Sequence, residues 1–269
     1  MSRKGNGSRK PMGLGSKILL IICLIVFCGS GYYLGNYFFQ AWKAQDEFAD
    51  LKMVESMQKD LLTSRGTIIG TYVGLYQSNS DIIGWVRMED TKIDYPVMQT
   101  KDDPEYYLHR DFKREHSESG TPFMDADSDI FIPTCNWLVY GHHMKSGIMF
   151  HDLVKYEDPE FYRKHPTFSF DTIYKGGQGT YQIIAAGYSK IYAEDSDAFK
   201  YYQYAGITTE EQFNEYVNGV LSISAYNTGE TAEFGDQLVT LSTCAYQAKE
   251  GRFFVVGKRI DAKQKKPEF

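Results

Sequence analysis

The 269 residues are enough for one good-sized domain plus an anchor. At 15% the aromatic content, with 21 Tyr and 17 Phe, suits a β-rich core, and Gly and Pro are too sparse for a disordered or fibrous chain. Residues 1–43 hold six basic and no acidic side chains, which leaves 23 basic against 35 acidic residues in 44–269, a net of −12; so acidic a domain repels phosphate backbones and argues against nucleic acid as a partner.

In chain order, residues 1–17 form a basic, Gly/Ser-rich tail, expected to lack structure through residue 16. From Ile18 to Trp42 there is no charged side chain, and the stretch is long enough to cross the roughly 30 Å hydrocarbon core as a helix. Basic residues precede it, which under the positive-inside bias puts the N-terminus in the cytoplasm. Tyr32, Tyr33, Tyr37, Phe38, Phe39 and Trp42 crowd the far end, where amphipathic rings favour the interface. A cleaved secretory signal is the alternative, with Gly29-Ser30-Gly31 as a weak cleavage site inside a continuing apolar run. Either reading puts the rest of the chain outside the membrane.

Residues 43–79 are expected to form a helical stalk. Within it, Phe48, Leu51, Val54, Met57 and Leu61 recur at three- and four-residue steps and predict an amphipathic helix over 44–62. Residues 80–269 then make one domain with a β pattern. Candidate strands are Ile82–Arg87, Lys92–Met98, Thr121–Asp125, Trp137–Gly141, Thr167–Ile173, Thr180–Ile191, Gln237–Cys244 and Arg252–Ile260. Each is rich in β-branched or aromatic residues and bounded by turn formers. Eight such strands predict a closed barrel, which leaves few exposed edges. Two helical insertions interrupt them. One or two short helices occupy 148–164, and a longer helix occupies 208–224, between the sixth and seventh strands. For the latter, Thr208 and Glu211 fit a capping box, and Phe213, Tyr216, Val217, Val220 and Leu221 form its apolar face.

Three segments carry chemistry. Leu138-Val139-Tyr140-Gly141-His142-His143 is a strand that ends in glycine and histidine; Thr240-Leu241-Ser242-Thr243-Cys244 is a strand that ends in cysteine; Gly251-Arg252 opens the last apolar run. A thiol of pKa near 8.5 needs a base to become the thiolate nucleophile. An imidazole can take that proton and return one to a leaving amine. A guanidinium, which never loses its proton, can stabilise charge that develops on a carbonyl oxygen. No Cys-x-x-Cys exists, and the remaining histidines (His109, His116, His151, His165) lack metal-ligand spacing; no metal or other cofactor is expected. Cys23 and Cys28 lie in the apolar segment, which leaves Cys135 and Cys244 for the exported domain, where two cysteines can also form one bridge.

The sequence resembles the sortases. Thr240–Cys244 is similar to their Thr-Leu-x-Thr-Cys signature, Tyr140-Gly141-His142 to their histidine segment, and Arg252 falls where their arginine opens the last strand. Asp81-Ile82-Ile83-Gly84-Trp85, Ile93-Asp94-Tyr95-Pro96-Val97, Tyr107-Leu108 and Gly120-Thr121-Pro122-Phe123-Met124-Asp125 extend the likeness over roughly residues 80–260. The long helix between strands six and seven, with helices before strand one, resembles class B. The resemblance implies a mainly β, closed eight-stranded sortase-type barrel. In it Cys244 is the nucleophile, His142 the acid/base and Arg252 the substrate-orienting and oxyanion-stabilising group, while Leu108, Ser242 and Thr243 line the peptide groove. His143 is not chosen as the base, because the family's Tyr-Gly-His places the catalytic ring first. Ala245-Tyr246 departs from class B members that carry acidic residues after the cysteine.

The same resemblance implies a transpeptidase of the Gram-positive cell surface, anchored by one N-terminal helix. It would cut the sorting motif of a secreted surface protein through a thioester and pass the acyl group to an amine of a peptidoglycan precursor or a pilin lysine. Calcium, used by sortases of other classes, finds no acidic cluster here. Two readings stand beside it: a hydrolytic cysteine peptidase on the same framework, and a surface-anchored binding module with a Cys135–Cys244 disulfide.

Overall fold

The computed structural model describes residues 14–53, 59–132, 134–245 and 251–261, and for Lys52, Met53, Cys244 and Ala245 the backbone alone. Helix α1 (Leu14–Met53) is followed by a hairpin of β1 (Leu61–Thr63) and β2 (Gly66–Ile68) and by α2 (Gly70–Ser78). The barrel strands are β3 (Ile82–Arg87), β4 (Asp94–Met98), β5 (Phe123–Met124), β6 (Asn136–Tyr140), β7 (Thr167–Thr172), β8 (Gln178–Lys190), β9 (Leu238–Ala245) and β10 (Gly251–Arg259). Helix α3 (Pro159–Lys164) lies before β7, and α4 (Glu210–Ser222) lies between β8 and β9.

The chain divides into two compact units, with the boundary between Trp42 and Lys43. In the first, the apolar side chains of α1, among them Leu19, Ile25, Phe27 and Tyr32, are exposed. By length and composition this helix can cross a membrane. The tail was expected to run through residue 16, but Leu14–Ser16 already belong to the helix.

In the second unit eight strands close in the order β10-β8-β7-β3-β4-β5-β6-β9. The barrel is mixed: β4–β5 and β6–β9 are parallel, the other pairs antiparallel. The expected strands all form. Lys92 stays outside β4 because Thr91 Oγ1 donates to the Met88 carbonyl and accepts from Ile93 N, a local turn that delays the ladder. Thr121 is likewise held off β5 by bonds to the Tyr107 and Arg110 carbonyls.

The amphipathic helix over 44–62 needs correction. Phe48 and Leu51 are buried, Phe48 edge-on to Tyr95 at 5.1 Å, but the helix is the end of α1 and Leu61 opens a hairpin. Thr63 Oγ1 donates to the Gly66 carbonyl and closes that hairpin's turn, an alternative that apolar periodicity does not reveal. Val54 and Met57 lie outside the described residues. Region 148–164 is a 3-10 helix (Phe150–Glu157) and then α3, whose Asp158 cap accepts from Glu160 N at 2.8 Å ahead of Pro159.

Helix α4 starts one residue later than its expected capping box. Thr209 is the cap, accepting from Gln212 N, and Gln212 Oε1 reaches back to Thr209 and to Thr208 N. Both Thr208-x-x-Glu211 and Thr209-x-x-Gln212 fit the box, and the helix takes the second. Phe213, Tyr216, Val217 and Val220 are buried against β8, β9 and β10, with Leu221 at the margin. Each such side chain contributes about 1.5–3 kcal/mol relative to exposure.

Candidate active site

The parallel pairing of β6 and β9 sets the site. Tyr140 is registered with Ser242, and Gly141 N donates to the Ser242 carbonyl at 3.0 Å. The ladder ends at this pair; His142 follows two residues after Tyr140, and Cys244 lies two residues after Ser242 on β9. On the other flank, antiparallel pairing registers Cys244 with Arg252. Cys244 and Arg252 thus share one row at the strand ends, and His142 follows the end of the neighbouring strand β6. The row beneath it is Tyr140, Ser242 and Phe254.

The signature strand is anchored from outside the barrel. Thr240 Oγ1 donates to Asn136 Oδ1 at 2.8 Å and also bonds the Tyr216 hydroxyl of α4. Ser242 Oγ shares a 2.6 Å hydrogen bond with Tyr201 OH, and the Tyr201 ring packs on Phe254 at 5.1 Å. Thr240, Ser242, Tyr201 and Tyr216 are all buried, so these bonds fix the strand leading to Cys244 in a dry setting.

A cleft of about 330 Å³ opens over this row. Leu108, His142, Ser242, Thr243 and Arg252 line it, while the side chain of Cys244 lies outside the described atoms. His143 does not line the cleft; it is buried, edge-on to His151 at 4.6 Å. Sequence reasoning missed Tyr201, Tyr202, Ile191 and Glu105, which complete the walls. Tyr201 and Tyr202 come from a three-residue 3-10 turn and Glu105 from the loop before another, too short for any periodicity to mark them, while Ile191 directly follows β8.

His142 is half-buried, and its Nε2 lies 2.8 Å from the Leu108 carbonyl oxygen. A carbonyl only accepts, so Nε2 carries the proton and Nδ1 is the basic atom of the neutral ring. Burial holds His142 below the ordinary histidine value; the Leu108 bond opposes this, and nearby His109 and Arg252 reinforce it. The ring is thus kept neutral and ready to accept a proton. Arg252 Nη1 donates to its own neighbour's carbonyl, Gly251 O, at 3.1 Å, which holds the guanidinium at the start of β10. At the far wall Tyr140 OH donates to Asp125 Oδ2 at 3.0 Å, and burial pushes the tyrosine well above its usual range.

Cys135, the other cysteine of this unit, is a free, half-buried thiol that burial makes less acidic. It precedes Asn136, the partner of Leu238, whereas Cys244 lies six residues further along β9. That is about 20 Å of strand, and a disulfide needs Cα atoms within about 7 Å. A Cys135–Cys244 bridge does not fit this fold. Among the described residues no group of three or more His, Cys, Asp or Glu is placed to hold a metal ion.

No protein-family model matches the chain. It is 32% identical over 246 residues to sortase B of Listeria monocytogenes, covering 91% of this chain and 96% of the relative. It is 28% identical over 246 residues to sortase B of Staphylococcus aureus, covering 91% and 95%. Among solved structures, sortase B from Bacillus anthracis in complex with AAEK1 superposes with a TM-score of 0.68 at 29% identity, covering 83% of this chain and 99% of that one. A Staphylococcus aureus sortase B–substrate complex gives 0.64 at 27% identity, covering 86% and 97%.

Proposed function

The chain belongs to the sortase B family of cysteine transpeptidases, and from that premise we propose that it cuts the sorting motif of secreted surface proteins with Cys244, His142 and Arg252 and joins the new end to an amine. The observation that carries this reading is the register of Cys244 with Arg252 on β9, the strand paired with the one that leads into His142, with His142 and Arg252 both lining one cleft.

The chemistry follows from those positions. The sorting peptide lies along Leu108, Ser242 and Thr243. His142 Nδ1 takes the Cys244 thiol proton, and the thiolate attacks the carbonyl carbon of the motif's threonine. Negative charge moves to the carbonyl oxygen, where the Arg252 guanidinium stabilises it more strongly than it stabilises the neutral substrate. The intermediate collapses as the imidazolium gives its proton to the leaving nitrogen, so the C–N bond breaks and a thioester remains. An incoming amine loses a proton to His142, attacks the thioester and expels the thiolate. One amide is exchanged for another, with no net redox change. The acceptor is the amine of a peptidoglycan precursor or a pilin lysine.

The N-terminal helix is the anchor, with residues 1–17 cytoplasmic, 18–42 in the bilayer, 43–79 as the connecting region and 80–269 as the catalytic domain at the cell surface. Its support is the basic tail, the uncharged run and the exposed apolar side chains of α1.

The test is cleavage of a sorting-peptide library by the full chain, with and without an added amine. The expected result is an amine-linked product that Cys244→Ala abolishes while the fold is kept. Activity in Cys244→Ala overturns the reading. Products of hydrolysis alone at every amine concentration make the enzyme a peptidase instead.

A further inference from the structure

The atom that fixes the His142 tautomer is a backbone carbonyl, and a backbone carbonyl is only as well aimed as the loop that carries it. Leu108 lies in a single 3-10 turn (Tyr106–His109) between β4 and β5, a type of segment that is not rigid by itself. Here it is held by a buried polar network remote from the cleft. Tyr107 is fully buried; its hydroxyl donates to Asp81 Oδ2 at 2.7 Å and accepts from Asn79 Nδ2 at 2.8 Å. Asn79, also buried, donates from the same nitrogen to the Phe112 carbonyl at 2.7 Å, which ties the far side of the loop. Arg114 closes the circuit from the surface, donating to Asn79 Oδ1 at 2.7 Å and to Asp81 Oδ2 at 3.0 Å.

The loop is also clamped from above. Thr121 N donates to the Tyr107 carbonyl at 3.0 Å, and Gly120, at φ +58°, crosses the turn so closely that a Cβ there would lie 2.4 Å from the Leu108 oxygen and 2.6 Å from the Tyr107 oxygen. Only glycine lets the chain pass without displacing the carbonyl that faces His142.

We propose that the Asn79–Asp81–Tyr107–Arg114 network is the positioning device of the active site: it aims the Leu108 carbonyl at His142 Nε2 and so keeps Nδ1 as the atom that exchanges a proton with the thiol. Tyr107 is a positioning residue that acts through Leu108. The wrong tautomer would present an N–H where a base is needed, and the loss falls on the chemical step rather than on peptide binding. This inference rests on the role proposed for His142, but its main readout does not depend on activity.

The experiment uses the full chain in detergent, ¹⁵N-labelled at histidine, comparing wild type, Tyr107→Phe and Tyr106→Phe. Tyr106 packs edge-on to Tyr107 at 5.1 Å and against Arg110 but takes no part in the hydrogen bonds given above, and its variant, which keeps the ring, is the control. Expected for the wild type and the control is His142 protonated at Nε2 over the neutral range. Expected for Tyr107→Phe is a mixture of tautomers, with a kcat lower by about tenfold and a KM within twofold. Should Tyr107→Phe not fold, Arg114→Gln is read in the same way at the exposed end of the network. An unchanged Nε2–H tautomer in the folded network variant overturns the proposal, whether or not kcat falls. A tautomer shift in a chain that cleaves no sorting peptide supports the positioning device while overturning the transpeptidase reading.

Discussion

Cys244 and Arg252 are direct partners in the antiparallel ladder of β9 and β10, with the five residues 246–250 between the strands. A register of this kind fixes the spacing between the positions of nucleophile and cation by backbone geometry, without help from side-chain contacts. It ties the proposed oxyanion role of Arg252 to strand pairing.

The first prediction tests that role. Arg252→Lys keeps the positive charge but loses the planar fork and its several donors. Cleavage of a sorting peptide should fall by about 10²-fold in kcat, with a smaller change in KM. Steady-state kinetics decide it, and a lysine variant with near-normal kcat removes Arg252 from the transition state.

The second concerns pH. Burial holds His142 below 6.5, so its imidazole stays neutral into mildly acidic solution, where an ordinary histidine is already charged. The acid limb of kcat/KM should have its midpoint below 6.5. The same depression makes the folded chain bind fewer protons than the unfolded chain, so this group's contribution to stability is lost as pH falls from 6.5 through the folded value. A pH profile with an acid midpoint at or above 6.5 contradicts it.

The third contrasts two threonines of one signature. Thr240→Val strips a hydroxyl from a buried pair of partners, Asn136 Oδ1 and Tyr216 OH, and should cost about 1–3 kcal/mol. Thr243 Oγ1 is buried with no hydrogen-bond partner among the described residues. Thr243→Val should therefore leave stability nearly unchanged or slightly raised, and any loss of activity reports on the cleft. Denaturant midpoints of the two variants, compared at equal slope, settle the contrast.

The fourth concerns Gly141, between Tyr140 and His142. A Cβ there would lie 2.6 Å from the Phe150 ring, which is fully buried. Gly141→Ala should cost about 1–3 kcal/mol through overpacking and move His142 away from its Leu108 partner, so that activity falls further than stability. Thermal melts and peptide cleavage measured side by side test this; a variant with full activity contradicts it.

The sequence alone determined the strands and their order. Ile82–Arg87 is bounded as its β-branched and aromatic content between turn formers requires, and the other seven barrel strands begin and end within about two residues of expectation. Local chemistry suffices for that, because strand-favouring residues and the turn formers that bound them are written residue by residue. It also marked Cys244, His142 and Arg252, since a strand that ends in a reactive side chain is visible in a row of letters. Where two local patterns competed, as for Leu61 and for the cap of α4, sequence could not choose: helix periodicity and a three-residue strand share the same apolar spacing.

Only the tertiary structure decided which distant strands meet. The parallel pairing of β6 with β9 joins segments about a hundred residues apart, and no local preference encodes such a partner. It is that pairing which separates Cys135 from Cys244 by the length of a strand and brings the strand that leads into His142 next to the strand that carries Cys244. Side-chain identity is a property of the chain; proximity between remote side chains is a property of the closed barrel, whose register keeps the apolar residues of each strand in the core.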